Sequence, residues 1–280
     1  MSTEKPVFSK IAIHTYTNKP WNLAECIDHY TRAGLTGMSV WRNLIDPEDG
    51  GIGLAEASKR IHDSGLAIPA LVRGGFFPDP TREVRQQAID NNLTYIDEAA
   101  AIGADMVVLV VGAVPGMPLA EARQHVKDGI AAIAEHAKNA GVRLAIEPLH
   151  PMYAADKSCI NRMAEAREIC EALQHPAVGI AADVYHIWWD PDVEAELELA
   201  AKQKTLFGFH ICDWRVNTRH MLTDRGLMGD GCINVAHFRR LVHSLGFEGW
   251  HEIEVFSEDY WARDQEAYLE LILQRADACV

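Results

Sequence analysis

The chain has 280 residues, of which 48% are hydrophobic, and a formal net charge of −14 at pH 7 with histidine neutral. The negative charge argues against a nucleic-acid or membrane partner, because nucleic-acid backbones and anionic membranes are bound by clustered lysine and arginine. The opening MSTEKPVFSK has no apolar signal segment, and the sequence has no run of roughly 20 apolar residues that could span a membrane. The six cysteines are scattered and include no C-x-x-C pair. We therefore expect a cytoplasmic protein with free thiols.

Short β-rich runs alternate along the chain with longer helical patterns. They predict strands at 8–16, 37–41, 68–74, 105–112, 142–148, 178–186, 206–214 and 250–256. Most of these runs are nearly continuously apolar rather than alternating, which is typical of parallel strands that helices cover on the outside.

The helical patterns between these strands end at glycines, which favour the left-handed conformation that stops a helix. The glycines are Gly65, Gly103, Gly141 and Gly246, and the candidate N-caps are Asn22, Thr81, Asn161 and Asn234. Eight units of roughly 30 residues predict a (β/α)8 barrel, which we expect to be a single domain over residues 1–280. A doubly wound sheet would show a glycine-rich phosphate turn after the first strand, where HTYTNKP stands instead.

Hard metal ligands follow four successive strands of the predicted barrel. All parallel strands open at their carboxyl ends on one face, where barrel enzymes keep their active sites. The residues delivered there are Glu147, Asp183, His186, His210, Glu252 and Glu254. One carboxylate at a strand end is more often a helix cap or an ion-pair partner, but several together repel one another unless a cation lies among them. The pattern predicts a divalent metal site, with Mn²⁺ or Mg²⁺ favoured and Co²⁺ or Zn²⁺ also accepted.

The remaining strand ends carry aromatic and basic side chains, which predict a sugar pocket because aromatic rings pack on sugar faces. These residues are His14, Tyr16, Trp41, Arg73, Trp188 and Trp189, and His150 lies in the loop after the fifth strand. Ordinary loop packing is the alternative explanation for each of these residues.

Four segments carry a resemblance to a known family: IEPLHP, ADVYH, GFHICDW followed by GDG, and GWHEIEVF. They resemble the sugar phosphate isomerase/epimerase family, which has a xylose isomerase-like TIM barrel within the AP endonuclease 2 superfamily. That family includes ketose 3-epimerases, hydroxypyruvate isomerases, inosose-processing enzymes and, more distantly, zinc endonucleases. The resemblance covers nearly the whole chain and is most specific from 142 to 256.

The resemblance implies a set of metal ligands, in which the two glutamates are also the catalytic acid and base. The set is Glu147, Asp183, His210 and Glu254. Glu254 is preferred to Glu252 because the family's ligand stands five residues past the glycine that opens the last strand, here Gly249. We expect strand alternation to point Glu252 to the opposite face.

The resemblance also implies substrate contacts. His186 would lie beside substrate oxygens, and Arg215 would hold the reacting oxygen. Tyr153 stands where ketohexose 3-epimerases carry a glutamate. Its hydroxyl can still bind substrate, but the loss of the carboxylate argues against that specific activity. The endonucleases have extra histidines where this chain has Arg73 and Gly112, which argues against DNA repair.

These residues together predict a divalent-metal-dependent sugar isomerase or epimerase. It would act on a ketose or keto-cyclitol through a metal-stabilised enediolate, with glutamates moving the proton. A keto-sugar or inosose lyase or dehydratase could use the same enolate, and a sugar-binding subunit without catalysis is a further alternative. We expect a small-molecule partner, and the apolar LELILQ near the carboxyl terminus could support a homo-oligomer.

Overall fold

Eight parallel strands close into a barrel in the computed structural model, which describes residues 10–279. The barrel strands are β1 (Ile11–His14), β2 (Gly37–Trp41), β3 (Ile68–Gly75), β4 (Ala104–Val110), β5 (Arg143–Ile146), β6 (Val178–Asp183), β7 (Leu206–Ile211) and β10 (His251–Ile253). Each pairs with the next along the chain, and β10 closes the barrel against β1. All eight predicted strands are confirmed, although residues 8 and 9 of the first lie outside the described residues.

Two further strands, β8 (Asp213–Trp214) and β9 (Arg225–Gly226), form an antiparallel ribbon beyond the end of β7. The sequence did not predict this ribbon. The helices are α1 (Leu23–Arg32), α2 (Leu54–Ser64), α3 (Arg82–Ala101), α4 (Leu119–Ala140), α5 (Met163–Leu173), α6 (Val184–Ile187), α7 (Val193–Lys202), α8 (Val235–Ser244), α9 (Glu258–Trp261) and α10 (Gln265–Ala278).

Side-chain caps explain where some of the helices begin. Asn22 forms a capping box with Glu25, and the side chain of Asn234 accepts a hydrogen bond from the third residue of α8. Thr81 is at the N-cap of α3 but makes no side-chain cap. The prediction for Asn161 was wrong by one residue, because Arg162 is the N-cap of α5 and the Asn161 amide donates instead to backbone carbonyls of the preceding loop.

The interior of the barrel divides into an apolar half and a polar half. Strands β3 to β6 fill their half with small and apolar side chains, namely Ala70, Val72, Met106, Val108, Ala145 and Ala181. The half formed by β1, β2, β7 and β10 instead buries His14, Ser39, His210 and Glu252. This polar half leads up to the carboxyl ends of the strands, where the predicted site lies.

Two further features of the chain concern its cysteines and the apolarity of its helices. All six cysteines are free thiols, as predicted. Within residues 10–279, none of the helices combines the length and apolarity that crossing a bilayer requires.

Candidate metal centre

The four predicted metal ligands converge at the carboxyl ends of β5, β6, β7 and β10. Glu147, Asp183, His210 and Glu254 are all buried, and each offers one ligand atom within 4.8 Å of the others. The register of the sheet explains this, because Asp183 pairs directly with His210 across β6 and β7. We call this set the four-residue cluster; that it binds a metal ion stays a prediction.

The electrostatics of the cluster fit a divalent cation. Burial raises the pKa of Glu147 and of Asp183, and the charge of nearby Glu254 raises both further. Burial alone would lower the pKa of His210, but its 3.0 Å hydrogen bond to Glu147 and the neighbouring carboxylates outweigh burial and raise that pKa to about 10. Without a metal, the site must therefore hold extra protons to limit repulsion between carboxylates.

The donor set itself also fits such an ion. Three carboxylates and one imidazole are ligands that Mn²⁺ and Mg²⁺ accept, and that Zn²⁺ and Co²⁺ tolerate. The second ring nitrogen of His210 is buried without a hydrogen-bond partner among the described residues. An unsatisfied buried polar atom costs stability. Its presence here indicates a site that serves more than the stability of the fold.

Glu252 lies inside the barrel directly below the cluster, so the expectation that it points to the opposite face was wrong. Residues two apart on a strand share a face, and Glu252 points inward like Glu254. Its carboxylate accepts hydrogen bonds from Ser39 (2.6 Å) and His14 (3.1 Å). The other ring nitrogen of His14 donates to Glu254 (2.8 Å). His14 therefore links two glutamates beneath the site, and it does not reach the cavity as predicted.

Arg225, which the sequence analysis missed, is part of the site. It stands on β9, is only 2% exposed, and donates to Asp183 (2.9 Å) and Glu254 (3.0 Å). Its guanidinium also lies 3.2 Å from a ring nitrogen of His186. The signal that could have found it is the GDG turn, because Arg225 stands four residues before Gly229.

Arg215, which was predicted to hold the reacting oxygen, is engaged elsewhere. Its guanidinium pairs with Asp224 and Asp259, at 2.9 Å in each case. It contacts none of the four-residue cluster and does not line the cavity above it. Arg225 occupies the position beside the cluster instead.

Two other predicted residues, His186 and Tyr153, do reach the site. His186 is buried, and burial together with the charge of Arg225 holds its pKa well below the usual value. The Tyr153 hydroxyl donates to the backbone oxygen of Met221 (2.6 Å), and burial raises its pKa to about 12. The imidazole of His186 is thus neutral and the phenol of Tyr153 stays protonated at neutral pH.

A cavity of about 340 Å³ opens above the four-residue cluster, a size suited to a small molecule. The predicted residues that line it are Tyr16, Trp41, Arg73, Glu147, Tyr153, His186 and Glu254. The lining residues that the sequence did not predict include Lys19, Arg225, Phe256 and Trp261. His150 and Trp188 do not line it. The ring of His150 packs on Trp214 (4.9 Å) and Trp188 lies 5.9 Å from the same ring, so ordinary loop packing accounts for both.

Comparison with known proteins gives relatives of the same architecture. The inosose isomerase of Halalkalibacterium halodurans is 26% identical over 209 residues, which are 73% of this chain and 71% of that protein. The crystal structure of a protein from Sinorhizobium meliloti 1021 is 44% identical, covers 97% of this chain and 98% of that one, and superimposes with a TM-score of 0.92.

A more distant structure shares the fold alone. The IOLI protein, crystallised with a bound zinc atom, is 19% identical, with a TM-score of 0.85 over 97% of this chain and 98% of that chain. The sequence profile described as "Xylose isomerase-like TIM barrel" matches residues 27–274. The predicted fold and family are therefore confirmed, and the chain belongs to the family of xylose isomerase-like TIM barrels.

Proposed function

We propose that the protein is a divalent-metal-dependent isomerase or epimerase that acts on a small keto-sugar or keto-cyclitol. The observation that carries the proposal is the four-residue cluster, in which Glu147, Asp183, His210 and Glu254 bring their ligand atoms within 4.8 Å of one another beneath a cavity. The related inosose isomerase supports the reaction class, and the zinc atom in the IOLI protein supports the metal. We favour Mn²⁺ because three of the four ligands are carboxylates.

Glu147 and Glu254 are the acid and base in this proposal, since both carboxylates border the cavity. Burial raises the pKa of Glu147, whereas the charges of His14 and Arg225 overcome burial and lower the pKa of Glu254. Two carboxylates whose pKa values are pushed apart are the usual pattern of an acid/base pair. In this proposal one of the two glutamates removes the proton from the carbon beside the carbonyl, and the other, or the same one, returns it.

The carbon that takes the proton back decides the product. Return to the neighbouring carbon interconverts aldose and ketose, and return to the opposite face of the same carbon gives an epimer. A bound divalent ion would supply Lewis-acid stabilisation of the negative charge on the substrate oxygens. Arg225 would supply a fixed positive charge to the bound substrate, and the neighbouring His186 would present a neutral imidazole.

The test is exchange of solvent deuterium into a panel of ketoses and inososes with Mn²⁺, followed by NMR. We expect exchange in the wild type and a loss of about 10²- to 10⁴-fold in Glu147→Gln, because general-base catalysis contributes that range. The control is Glu270→Gln on the exposed side of α10, which should exchange like the wild type. Metal analysis of each variant shows whether the ion is retained.

Three results would contradict the proposal. They are a wild type that exchanges no keto-sugar of the panel, activity that EDTA does not change, and a Glu147→Gln variant with full exchange. Loss of water from the substrate, seen by mass spectrometry, would show a dehydratase instead, because elimination of a β-hydroxyl starts from the same enolate.

A further inference from the structure

A second compartment opens beside the cavity above the four-residue cluster. Its volume is about 660 Å³, about twice that of the cavity itself. Five residues line both spaces, namely Tyr16, Lys19, Trp41, Arg73 and Phe76. A substrate that reached only the cluster would leave this second compartment empty.

The walls of the compartment are amphipathic. Phe76 and Val84 are 43% and 50% exposed, and Tyr95 adds another aromatic ring. The polar part of the wall includes the amide side chains of Gln87 and Asn91 on α3. Aromatic faces together with neutral amides suit a hydroxylated ring, which offers apolar C–H faces and hydroxyl edges.

Three basic residues line this wall, namely Lys19, Arg42 and Arg73, and the guanidinium of Arg42 is already paired with carboxylates. Arg42 donates to both carboxylate oxygens of Glu98 (2.7 and 2.9 Å) and to Asp46 (2.6 Å), and its guanidinium lies over the ring of Tyr95. Its charge is therefore already neutralised.

The segment that carries two of these shared residues has a strained backbone. Arg73 and Phe76 both have positive φ angles, of 89° and 58°, which side chains other than glycine rarely adopt. Strain of this kind persists only where the surroundings enforce it, and it concentrates at binding sites.

The enforcing contact comes from Asn92, a buried side chain on α3. Its amide accepts from the backbone N–H of Gly75 (2.7 Å) and donates to the Gly75 carbonyl (2.8 Å). Gly75 itself leaves no room for a side chain, because a Cβ there would lie 2.2 Å from the backbone oxygen of Val110. Asn92 thus fixes the segment that presents Arg73 and Phe76 to both spaces.

We infer that the second compartment binds a second sugar ring, so that the substrate is a keto-sugar carrying a glycosyl substituent rather than a single ring. This inference rests on the proposed function, because it places the keto-sugar unit in the cavity above the cluster. Phe76 and Tyr95 would pack on the second ring, and Gln87 and Asn91 would hold its hydroxyls.

The test compares the binding of D-fructose with that of three disaccharides that contain fructose, by calorimetry on the Mn²⁺-loaded protein. Turanose, lactulose and isomaltulose carry the second ring at different positions of the same ketose. We expect at least one to bind about tenfold more tightly than fructose, as an added aromatic contact allows. Val84→Trp fills the compartment from its exposed rim and should remove this advantage.

The control is Leu199→Trp, which makes a similar change at another exposed apolar residue, 38% exposed on α7. It should keep the advantage. The inference is overturned if no disaccharide binds better than fructose, or if Val84→Trp keeps the difference.

Deuterium exchange measured on the same samples separates the two proposals. A disaccharide that binds in a Val84-dependent way but takes up no deuterium would contradict the enzymatic function and still support the second-ring inference. Deuterium exchange into fructose without tighter binding of any disaccharide would support the enzymatic function and contradict the second-ring inference.

Discussion

Arg225 places a permanent positive charge among groups that would otherwise repel one another. Burial opposes its charged form, but the carboxylates of Asp183 and Glu254 keep its pKa above the usual value. A buried charge is tolerated only when it is paired and hydrogen-bonded in this way. Its guanidinium also lies over the rings of Tyr185 and Phe256, at 4.4 and 4.6 Å, which fixes its plane.

Replacing Arg225 by lysine should lower kcat/KM by about 10²-fold, the usual effect of removing one positioned donor. A lysine ammonium is a point charge and does not reproduce the planar fork that reaches Asp183, Glu254 and His186. The measurement is steady-state kinetics on the substrate found in the exchange panel, with metal content determined in parallel. Arg60→Lys, on the exposed face of α2, is the control. A value of kcat/KM within twofold of the wild type would show that Arg225 does not act on the substrate.

The β8–β9 ribbon is the element that brings Arg225 to the site. The Asp213 carboxylate accepts hydrogen bonds from the backbone of Gly229 (3.0 Å), Gly231 (2.8 Å) and Ile233 (2.9 Å), which ties the GDG turn to β8. At the other end, Asp224 precedes Arg225 directly and pairs with Arg215 and Arg219. Both ends of β9 are therefore held by a buried aspartate.

Asp224→Asn should destabilise the folded protein at neutral pH. The hydrogen bond from Arg219, with the charges of Arg215 and Arg219, lowers the pKa of Asp224 to about 2. Because this is below the value in an unfolded chain, the carboxylate stabilises the fold above about pH 4, and that contribution is lost as pH falls towards 2. We expect a loss of about 1–2 kcal/mol, less than the full shift because Arg219 is largely exposed.

Urea unfolding at pH 7 and at pH 3 measures the effect of Asp224→Asn on stability. The difference from the wild type should be smaller at pH 3 than at pH 7. Asp63→Asn is the matched control, because Asp63 makes an exposed pair with Lys59 and should change stability by about 0.5 kcal/mol or less. An equal difference at both pH values would mean that the Asp224 charge does not contribute.

The sequence predicted the barrel strands because buried parallel strands are continuous apolar runs, and it predicted the convergence of Glu147, Asp183 and His210 because such strands end on one face. It could not predict β9, since two residues within a polar loop have no periodicity. Arg225 stands on this ribbon and was missed with it, and Arg215 was chosen because the family resemblance pointed to it. The mistake at Glu252 was one of geometry, since alternation places it on the same side as Glu254.

At the scale of the whole molecule, the barrel carries a buried histidine near the amino-terminal end of β10, away from the cluster. Burial, with the charge of Arg239, lowers the pKa of His251 to about 3, and Arg239 donates to its ring at 3.3 Å. The folded protein therefore holds this imidazole neutral at a pH where an unfolded chain would protonate it.

Acid should weaken the fold through His251. Between about pH 6.5 and pH 3 the unfolded chain binds one more proton at this position, so stability falls as pH falls, by about 1.4 kcal/mol per pH unit for one proton. In His251→Gln, this part of the slope should disappear between pH 6 and pH 4, as measured by urea unfolding. His237→Gln, on the surface of α8, should keep the wild-type slope. An unchanged slope in His251→Gln would show that the ring is protonated in the fold.

The hydrogen bonds from His14 to Glu252 and Glu254 join the first barrel strand to the last. Glu147, Asp183 and His210 stand at the ends of three neighbouring strands, and Glu254 follows the last strand of the chain. The fourth ligand, Glu254, reaches the cluster only when β10 fills the remaining gap beside β1. Closing this seam and completing the cluster are thus the same event, so an unfinished barrel exposes an open sheet edge and an incomplete set of ligands together.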